Sequence, residues 1–262
     1  MARKVRRATV LSATQITPHL KRITVGSAEF ADFPVDQKGA YVKVLLPHPG
    51  QSAVEIDLNA AQPATMRSYT IRSIDPVSRA ITLDFVINHH QGIATHWAKH
   101  AKPGDQLAIA GPGPRKLTDF RQSHYLLLGD LTSVNAINAY LSYLPAAAHV
   151  DVLIHVSDQD DIIALEKAES HTKQRINWLV TSTPDTDVVD RVTELLAQYS
   201  KAPLVFMALE AGLVRSLKHV MTNEFAIPRQ QIISSGYWKK GVDADGFKRL
   251  KQQAAAQNID VE

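Results

Sequence analysis

The sequence predicts an α+β chain of two domains: a six-stranded antiparallel β-barrel over residues 1–120, then a doubly wound α/β domain over residues 121–262 that ends in a helix. Three observations predict it. Short β-branched or aromatic runs, separated by proline, glycine or aspartate, fill the first part of the chain. After Gly111-Pro112-Gly113-Pro114 the pattern changes to apolar strands alternating with helical segments. A length of 262 residues suits two ordinary domains better than one large one.

In the first domain, residues 7–11, 20–25, 40–46, 54–58, 69–73 and 80–87 read as six strands. Many short strands closed by turns point to a barrel. One helix is expected from Ile93 to His100, stopped by Lys102-Pro103-Gly104-Asp105. In the second domain Tyr125-Leu126-Leu127-Leu128-Gly129 is a continuous apolar run, as for a strand buried on both faces. A helix over 134–144, a strand over 150–156, a helix near 162–168 and a strand over 176–180 follow. A helix over 188–199, a strand over 204–208 and a helix over 210–223 continue the alternation. The strand 231–234 and an amphipathic helix over 245–257 complete it. Such a pair of domains implies a cleft between them.

Composition removes several function classes. The 29 basic and 26 acidic residues leave a net charge of +3, too little to argue for nucleic acid, and no nucleic-acid partner is expected. There is no cysteine, so disulfides, thiolate zinc sites and cysteine-held iron–sulfur clusters are excluded. Any electron transfer needs an organic cofactor or haem. The basic N-terminus is not followed by an apolar signal segment, and no stretch reaches the roughly 20 apolar residues of a membrane span. A cytoplasmic protein without a membrane partner is expected.

Three segments carry chemistry. In Arg67-Ser68-Tyr69-Thr70-Ile71, strand alternation sets Arg67, Tyr69 and Ile71 on one face and Ser68 and Thr70 on the other. A guanidinium beside an aromatic ring suits a phosphate and a flat ligand; an ordinary barrel strand with an exposed arginine has the same sequence. In Gly92-Ile93-Ala94-Thr95-His96-Trp97-Ala98, small residues occupy a first helical turn whose free amides favour an anion, or simply cap a short helix. Gly236-Tyr237-Trp238-Lys239-Lys240-Gly241 offers a rigid cationic wall, or a C-terminal staple. Gly129-Asp130-Leu131-Thr132-Ser133 lies where a strand meets a helix; most such turns only cap the helix. His96 and His100 share a helical face, but no third ligand is apparent, so no metal site is expected.

These segments resemble the siderophore-interacting protein family of ferric-siderophore reductases, within the ferredoxin-reductase-like superfamily. The resemblance starts at residues 7–10 and at Ile16-Thr17-Pro18-His19-Leu20-Lys21-Arg22-Ile23-Thr24, then passes through Tyr41-Val42-Lys43-Val44 and Arg67-Ser68-Tyr69-Thr70. It continues with Asp84-Phe85-Val86, the Gly92 segment, Pro103-Gly104-Asp105, Gly111-Pro112 and Gly129-Asp130-Leu131-Thr132, and closes at Gly236-Tyr237-Trp238. The resemblance implies an FAD-binding barrel and a nicotinamide-type α/β domain. It implies that Arg67 holds the pyrophosphate, that Tyr69 meets the flavin or its ribityl chain, that Thr70 bonds near the reactive flavin nitrogen, and that Ser68 between them also belongs to the cofactor site. Asp84, Phe85, Val86 and His89 would line the isoalloxazine and adenine side, and Ala94 and Thr95 would cap the phosphates. Lys43, Arg115, Lys239 and Lys240 would receive an anionic catecholate or hydroxamate iron complex. No side chain would be catalytic, since the flavin carries the redox chemistry. NAD(P)H or reduced ferredoxin would supply electrons, ferredoxin being a candidate partner of an otherwise monomeric protein. The alternatives are a non-enzymatic ferric-siderophore carrier and a flavin reductase of the same fold with another acceptor.

Overall fold

The computed structural model describes residues 4–57, 59–88, 92–166 and 173–256. The chain divides into two compact units, Met1–Lys116 and Leu117–Glu262.

The first unit is a closed six-stranded antiparallel barrel. Its strands are β1 (Val5–Thr17), β2 (Leu20–Gly26), β3 (Tyr41–Leu46), β4 (Thr65–Asp75), β5 (Ala80–Val86) and β6 (Gln106–Ala110), in the order β1-β2-β5-β4-β3-β6. Alternate residues point inward: Ile23 and Val25 on β2, Val42 and Val44 on β3, and Ile81, Leu83 and Phe85 on β5 share one core. One helix, α1 (Ile93–His100), turns Ala94 and Ala98 into that core.

Two sequence expectations are corrected here. Residues 54–57 form no strand, and Leu58 lies outside the described residues. Val54 and Ile56 instead pack on Leu45, Ala64, Ala108 and Ala110, so their alternation covers the barrel wall without joining a ladder. The sixth strand is β6, which pairs with both β1 and β3 and closes the barrel. Its alanines carry little β propensity, and it falls between two breaker clusters, which hides it in the sequence.

The second unit is a five-stranded parallel sheet in the order β11-β10-β7-β8-β9. Its strands are β7 (His124–Gly129), β8 (His149–Val156), β9 (Gln174–Val180), β10 (Leu204–Glu210) and β11 (Ile232–Trp238). The helices are α2 (Val134–Leu141), α3 (Pro184–Leu196), α4 (Ala211–Asn223) and α5 (Ala244–Ala256). On one face Leu126, Leu128, Val205 and Met207 meet α3 and α4. On the other, Phe206 meets Tyr140 of α2 with ring centroids 5.0 Å apart. Helices thus cover both faces, as a doubly wound layout requires.

The helix expected near 162–168 is also corrected. Residues 162–166 are irregular, Ile162 has extended dihedrals, and exposure alternates along the segment; the remainder lies outside the described residues. The Glu166 amide donates to Asn138 Oδ1 of α2 at 2.6 Å, which replaces an intrahelical bond. None of the described helices is long and apolar enough to cross a membrane.

Two histidines make this unit acid-sensitive. Burial lowers the pKa of His155 against the pull of Asp130 and Asp185. Burial, then His149, Lys201 and Lys173, lowers that of His124. The unfolded chain, with histidines titrating near ~6.5, therefore binds more protons than the folded one, and stability falls as pH drops below about 6.5. The urea midpoint is expected to hold steady above neutrality and to decline between about pH 6.5 and 5, before carboxylates titrate. His155→Gln should flatten that decline; an unchanged slope would remove His155 from the account.

Candidate functional site

The barrel opens where β4 and β5 part. Their ladder runs from Asp75↔Ala80 to Ile71↔Leu83 and stops, while β4 stays paired with β3 from Thr65 to Thr70 and β5 with β2 up to Val86. Residues 67–70 and Asp84-Phe85-Val86 therefore face each other outside the β4–β5 ladder. The cause is local: a register shift between Ile71 and Ser73, with the Ile71 amide donating to the Ala40 carbonyl at 2.8 Å. A bulge of this kind ends pairing and re-aims side chains.

The expected alternation of the Arg67 segment is present. Val44↔Arg67 and Val42↔Tyr69 set Arg67 and Tyr69 on the inward side, with Ile71 fully buried. Tyr41↔Thr70 and Lys43↔Ser68 set Ser68 and Thr70 on the outward side. The Tyr69 ring lies 4.0 Å from that of Phe85, which lies 5.8 Å from Trp97. Burial raises the Tyr69 phenol far above its ordinary range, against a smaller opposing pull from Arg67, so it stays a neutral hydroxyl. An aromatic floor of Tyr69, Phe85 and Trp97 thus lies where the strands diverge. Arg67 Nη1 donates to the Met66 carbonyl at 3.0 Å, which fixes one side of the guanidinium.

Helix α1 begins beside this floor. Gly92 is its N-cap and has no side chain to cap with, and the first intrahelical bond is made by His96 to Gly92. The amides of Ile93, Ala94 and Thr95 are left without an intrahelical acceptor, as suits an anion. At the other end, the buried Lys21 ammonium donates to the Lys99 and Ala101 carbonyls at 2.9 and 3.1 Å and anchors the helix to β2. His100 Nδ1 lies 2.8 Å from the His96 carbonyl, so that imidazole serves the helix end.

Other expected residues are placed differently. The Asp84 carboxylate is held in a two-pronged pair by Arg22 on the neighbouring strand, at 2.8 and 2.9 Å, so only its main chain faces the opening. Arg115 does not project as a ready cation: it donates to the Lys38 carbonyl at 2.9 Å and to the Asp36 carbonyl and carboxylate at 2.8 and 2.7 Å. It braces the loop ahead of β3. Val86 is half-buried on the outward side of β5, and His89 lies outside the described residues. Lys43 stays on the outer face, 2.6 Å from Ser68 Oγ and 5.7 Å above the Tyr41 ring. Gly113 backs that ring; a Cβ there would fall 2.2 Å from Tyr41 Cζ. Sequence reasoning met Arg22, Lys21 and Trp97 only as members of motifs and gave them no role of their own. A cross-strand opposite-charge pair was the available signal for the first.

In the second unit the strand order reverses between β7 and β10, where ligands of doubly wound sheets bind. Asp130 follows β7. Its carboxylate accepts from the Thr132 amide (2.8 Å), the Thr132 hydroxyl (2.5 Å) and the Trp238 indole (2.8 Å). Glu210 ends β10, accepting from the Leu213 amide and, through its other oxygen, from the Lys240 amide, both at 3.0 Å. The Gly236-Tyr237-Trp238-Lys239-Lys240 segment is thus stapled to both carboxylates, with the Lys240 side chain exposed and Lys239 half-buried. Gly129 permits close helix packing, since a Cβ would lie 2.4 Å from Ser133 Oγ.

Comparison with known proteins fits this arrangement. Residues 9–116 match the siderophore-interacting FAD-binding domain, and residues 122–241 match the siderophore-interacting protein domain. The chain belongs to the siderophore-interacting protein family. It is 28% identical over 244 residues to the ferric vibriobactin reductase ViuB of Vibrio cholerae, covering 88% of each chain. The siderophore-interacting protein SipS of Aeromonas hydrophila superimposes with a TM-score of 0.83 at 28% identity, over 97% of this chain and 99% of that one. A ferredoxin reductase of carbazole 1,9a-dioxygenase shares the fold with a TM-score of 0.63 at 15% identity, over 90% of this chain and 68% of that one. The match to the FAD-binding domain falls on the barrel. The unladdered opening, its aromatic floor and the uncapped helix start fit a flat ring system joined to a pyrophosphate.

Proposed function

We propose that this protein is an FAD-dependent reductase of ferric siderophores acting in the cytoplasm. The observation that carries the reading is the gap between β4 and β5, bordered by Arg67 and Tyr69 on one strand and by Phe85 on the other. FAD, when bound, supplies a store of two electrons that can leave one at a time. Arg67 and the amides of Ala94 and Thr95 would hold its phosphates. Tyr69, backed by the buried Phe85 ring, would give the flavin ring an apolar seat, and Ser68 and Thr70 would offer hydroxyls on the outer side of β4. Fe(II) is held more weakly than Fe(III) by hard oxygen ligands, so reduction releases the metal.

Lys43 is the substrate-facing cation of this proposal on the barrel. It shares the outward face of Ser68 and Thr70, where a negatively charged ferric complex would be drawn to it. Lys239 and Lys240 present further positive charge on the second unit. Its switch point, where Asp130 and Glu210 lie, is the natural place for a nicotinamide donor, with reduced ferredoxin the other candidate.

The decisive experiment is anaerobic reduction of the purified yellow protein by NADH, NADPH and reduced ferredoxin, followed by reoxidation with ferric siderophores and capture of Fe(II). A colourless protein that does not take up FAD would sink the reading and favour a carrier. Lys43→Ala is expected to raise KM for ferric siderophore by about tenfold, the scale of one charged contact, while leaving FAD binding intact. Equal KM values with and without Lys43 would remove it from the docking surface.

A further inference from the structure

The second unit opens with β7, α2 and β8, and read from its far edge the sheet runs β9-β8-β7-β10-β11. This is the strand order of a dinucleotide-binding sheet, with two strands on one side of the first and the later strands on the other. In such sheets a dinucleotide crosses the carboxyl ends of the strands. Its adenosine ribose reaches the end of the strand that follows the first crossover helix. That strand is β8, which ends at Val156. The residues after Val156 therefore meet the ribose 2′ position, the one place where NADH and NADPH differ.

Ser157-Asp158-Gln159-Asp160-Asp161 follows β8. Asp158 is half-buried with extended backbone, φ −133° and ψ 134°, and its Oδ1 accepts from the Asp160 amide at 2.9 Å. That bond fixes the carboxylate and occupies one oxygen. No hydrogen bond or ion pair ties Oδ2 to another described residue. The flanking loops are acidic: residues 157–166 and 181–190, which follow β8 and β9, hold seven carboxylates and neither lysine nor arginine. His155 adds no positive charge near neutrality, because burial lowers its pKa against the pull of Asp130 and Asp185. Lys239 and Lys240 follow β11, three strand spacings or roughly 14 Å from β8, too far along the edge to neutralise a group there.

We propose that Asp158 selects NADH over NADPH as the electron donor, its carboxylate accepting from the adenosine ribose hydroxyls and repelling a 2′-phosphate. The inference rests on the nicotinamide site proposed above and names its occupant. A ribose hydroxyl donating to a fixed carboxylate makes a charge-assisted bond, one of the stronger kinds. A 2′-phosphate brings nearly two negative charges to the same place and removes a donor. Capping of the turn 159–161 uses Oδ1 alone, so the two roles can be separated: Asp158→Asn keeps a cap acceptor and removes the charge.

Calorimetric titration of the FAD-loaded chain with ADP-ribose and with 2′-phospho-ADP-ribose reads binding without turnover. Anaerobic stopped flow with NADH and NADPH reads flavin reduction. ADP-ribose should bind at least about tenfold tighter than its 2′-phosphate, and NADH should lead NADPH in kcat/KM by a similar factor. In Asp158→Asn that preference should shrink by about tenfold at unchanged melting temperature. A lower melting temperature with both ligands weakened equally would confine Asp158 to the turn and overturn its role here. Equal affinity of the wild-type chain for the two ligands, tighter binding of the 2′-phosphate, or binding of neither also overturns it. If reduced ferredoxin alone reduces the flavin, this inference fails while the reductase reading stands. A chain that takes up no FAD ends the reductase reading, and the ADP-ribose titration still decides the selection at Asp158.

Discussion

Replacing Arg67 with alanine is expected to give a folded protein that loses most of its flavin on gel filtration. FAD affinity should fall by roughly ten- to a hundredfold, the worth of a charge-assisted hydrogen bond. Arg67 is half-buried on the inward side of β4, at the start of the stretch that β5 does not cover, and one of its nitrogens is already aimed by the Met66 carbonyl. Lysine in its place keeps the charge but loses the planar fork, so Arg67→Lys should fall between the two. Because no core side chain is removed, the melting temperature of the flavin-free protein should barely change. Fluorescence titration of flavin-free protein with FAD measures the effect, and an unaltered dissociation constant would exclude Arg67 from the phosphate site.

The second large effect is expected at Arg22. Its guanidinium covers the Asp84 carboxylate, which is 1% exposed, and the next cation, Arg72, stands 3.9 Å away, beyond hydrogen-bond reach. Arg22→Ala leaves a buried charge without its main partner, which costs about 3–5 kcal/mol. Removing both partners in Arg22→Ala/Asp84→Ala should cost less than the single change, because the stranded charge goes with its cation. Urea unfolding of the single and double variants reads the difference directly. Additive losses would mean that the pair is incidental. Since Asp84 borders the opening, the single variant should also bind FAD more weakly than its fold loss alone explains.

Much of the site was legible because it depends on short spacing. The period of two along a strand places Arg67 with Tyr69 and Ser68 with Thr70 whatever the rest of the barrel does, and the structure shows those faces. Gly92 followed by Ala94 and Thr95 reads as a helix start, and it is one. The continuous apolar run from Tyr125 to Gly129 reads as a strand covered on both faces, and it is the central strand of the parallel sheet. Strand β6 was hidden because nothing local distinguishes Gln106-Leu107-Ala108-Ile109-Ala110 from a loop; β1 and β3 supply its hydrogen bonds. The segment 54–57 misled for the opposite reason, as alternation that serves packing looks like alternation that serves pairing.

The sequence by itself determined the two-domain α+β layout, the alternation of side chains in the Arg67 segment and the start of α1 after Gly92. Those properties follow from backbone periods and from which residues can cap or break an element. Only the tertiary structure decided how the charged residues are spent. Arg115 turned out to brace residues 36–38, and Asp130 took the Trp238 indole from 108 positions away. A side-chain charge acts over a few ångströms, and which partner comes that near is set by long-range pairing that no local spacing encodes.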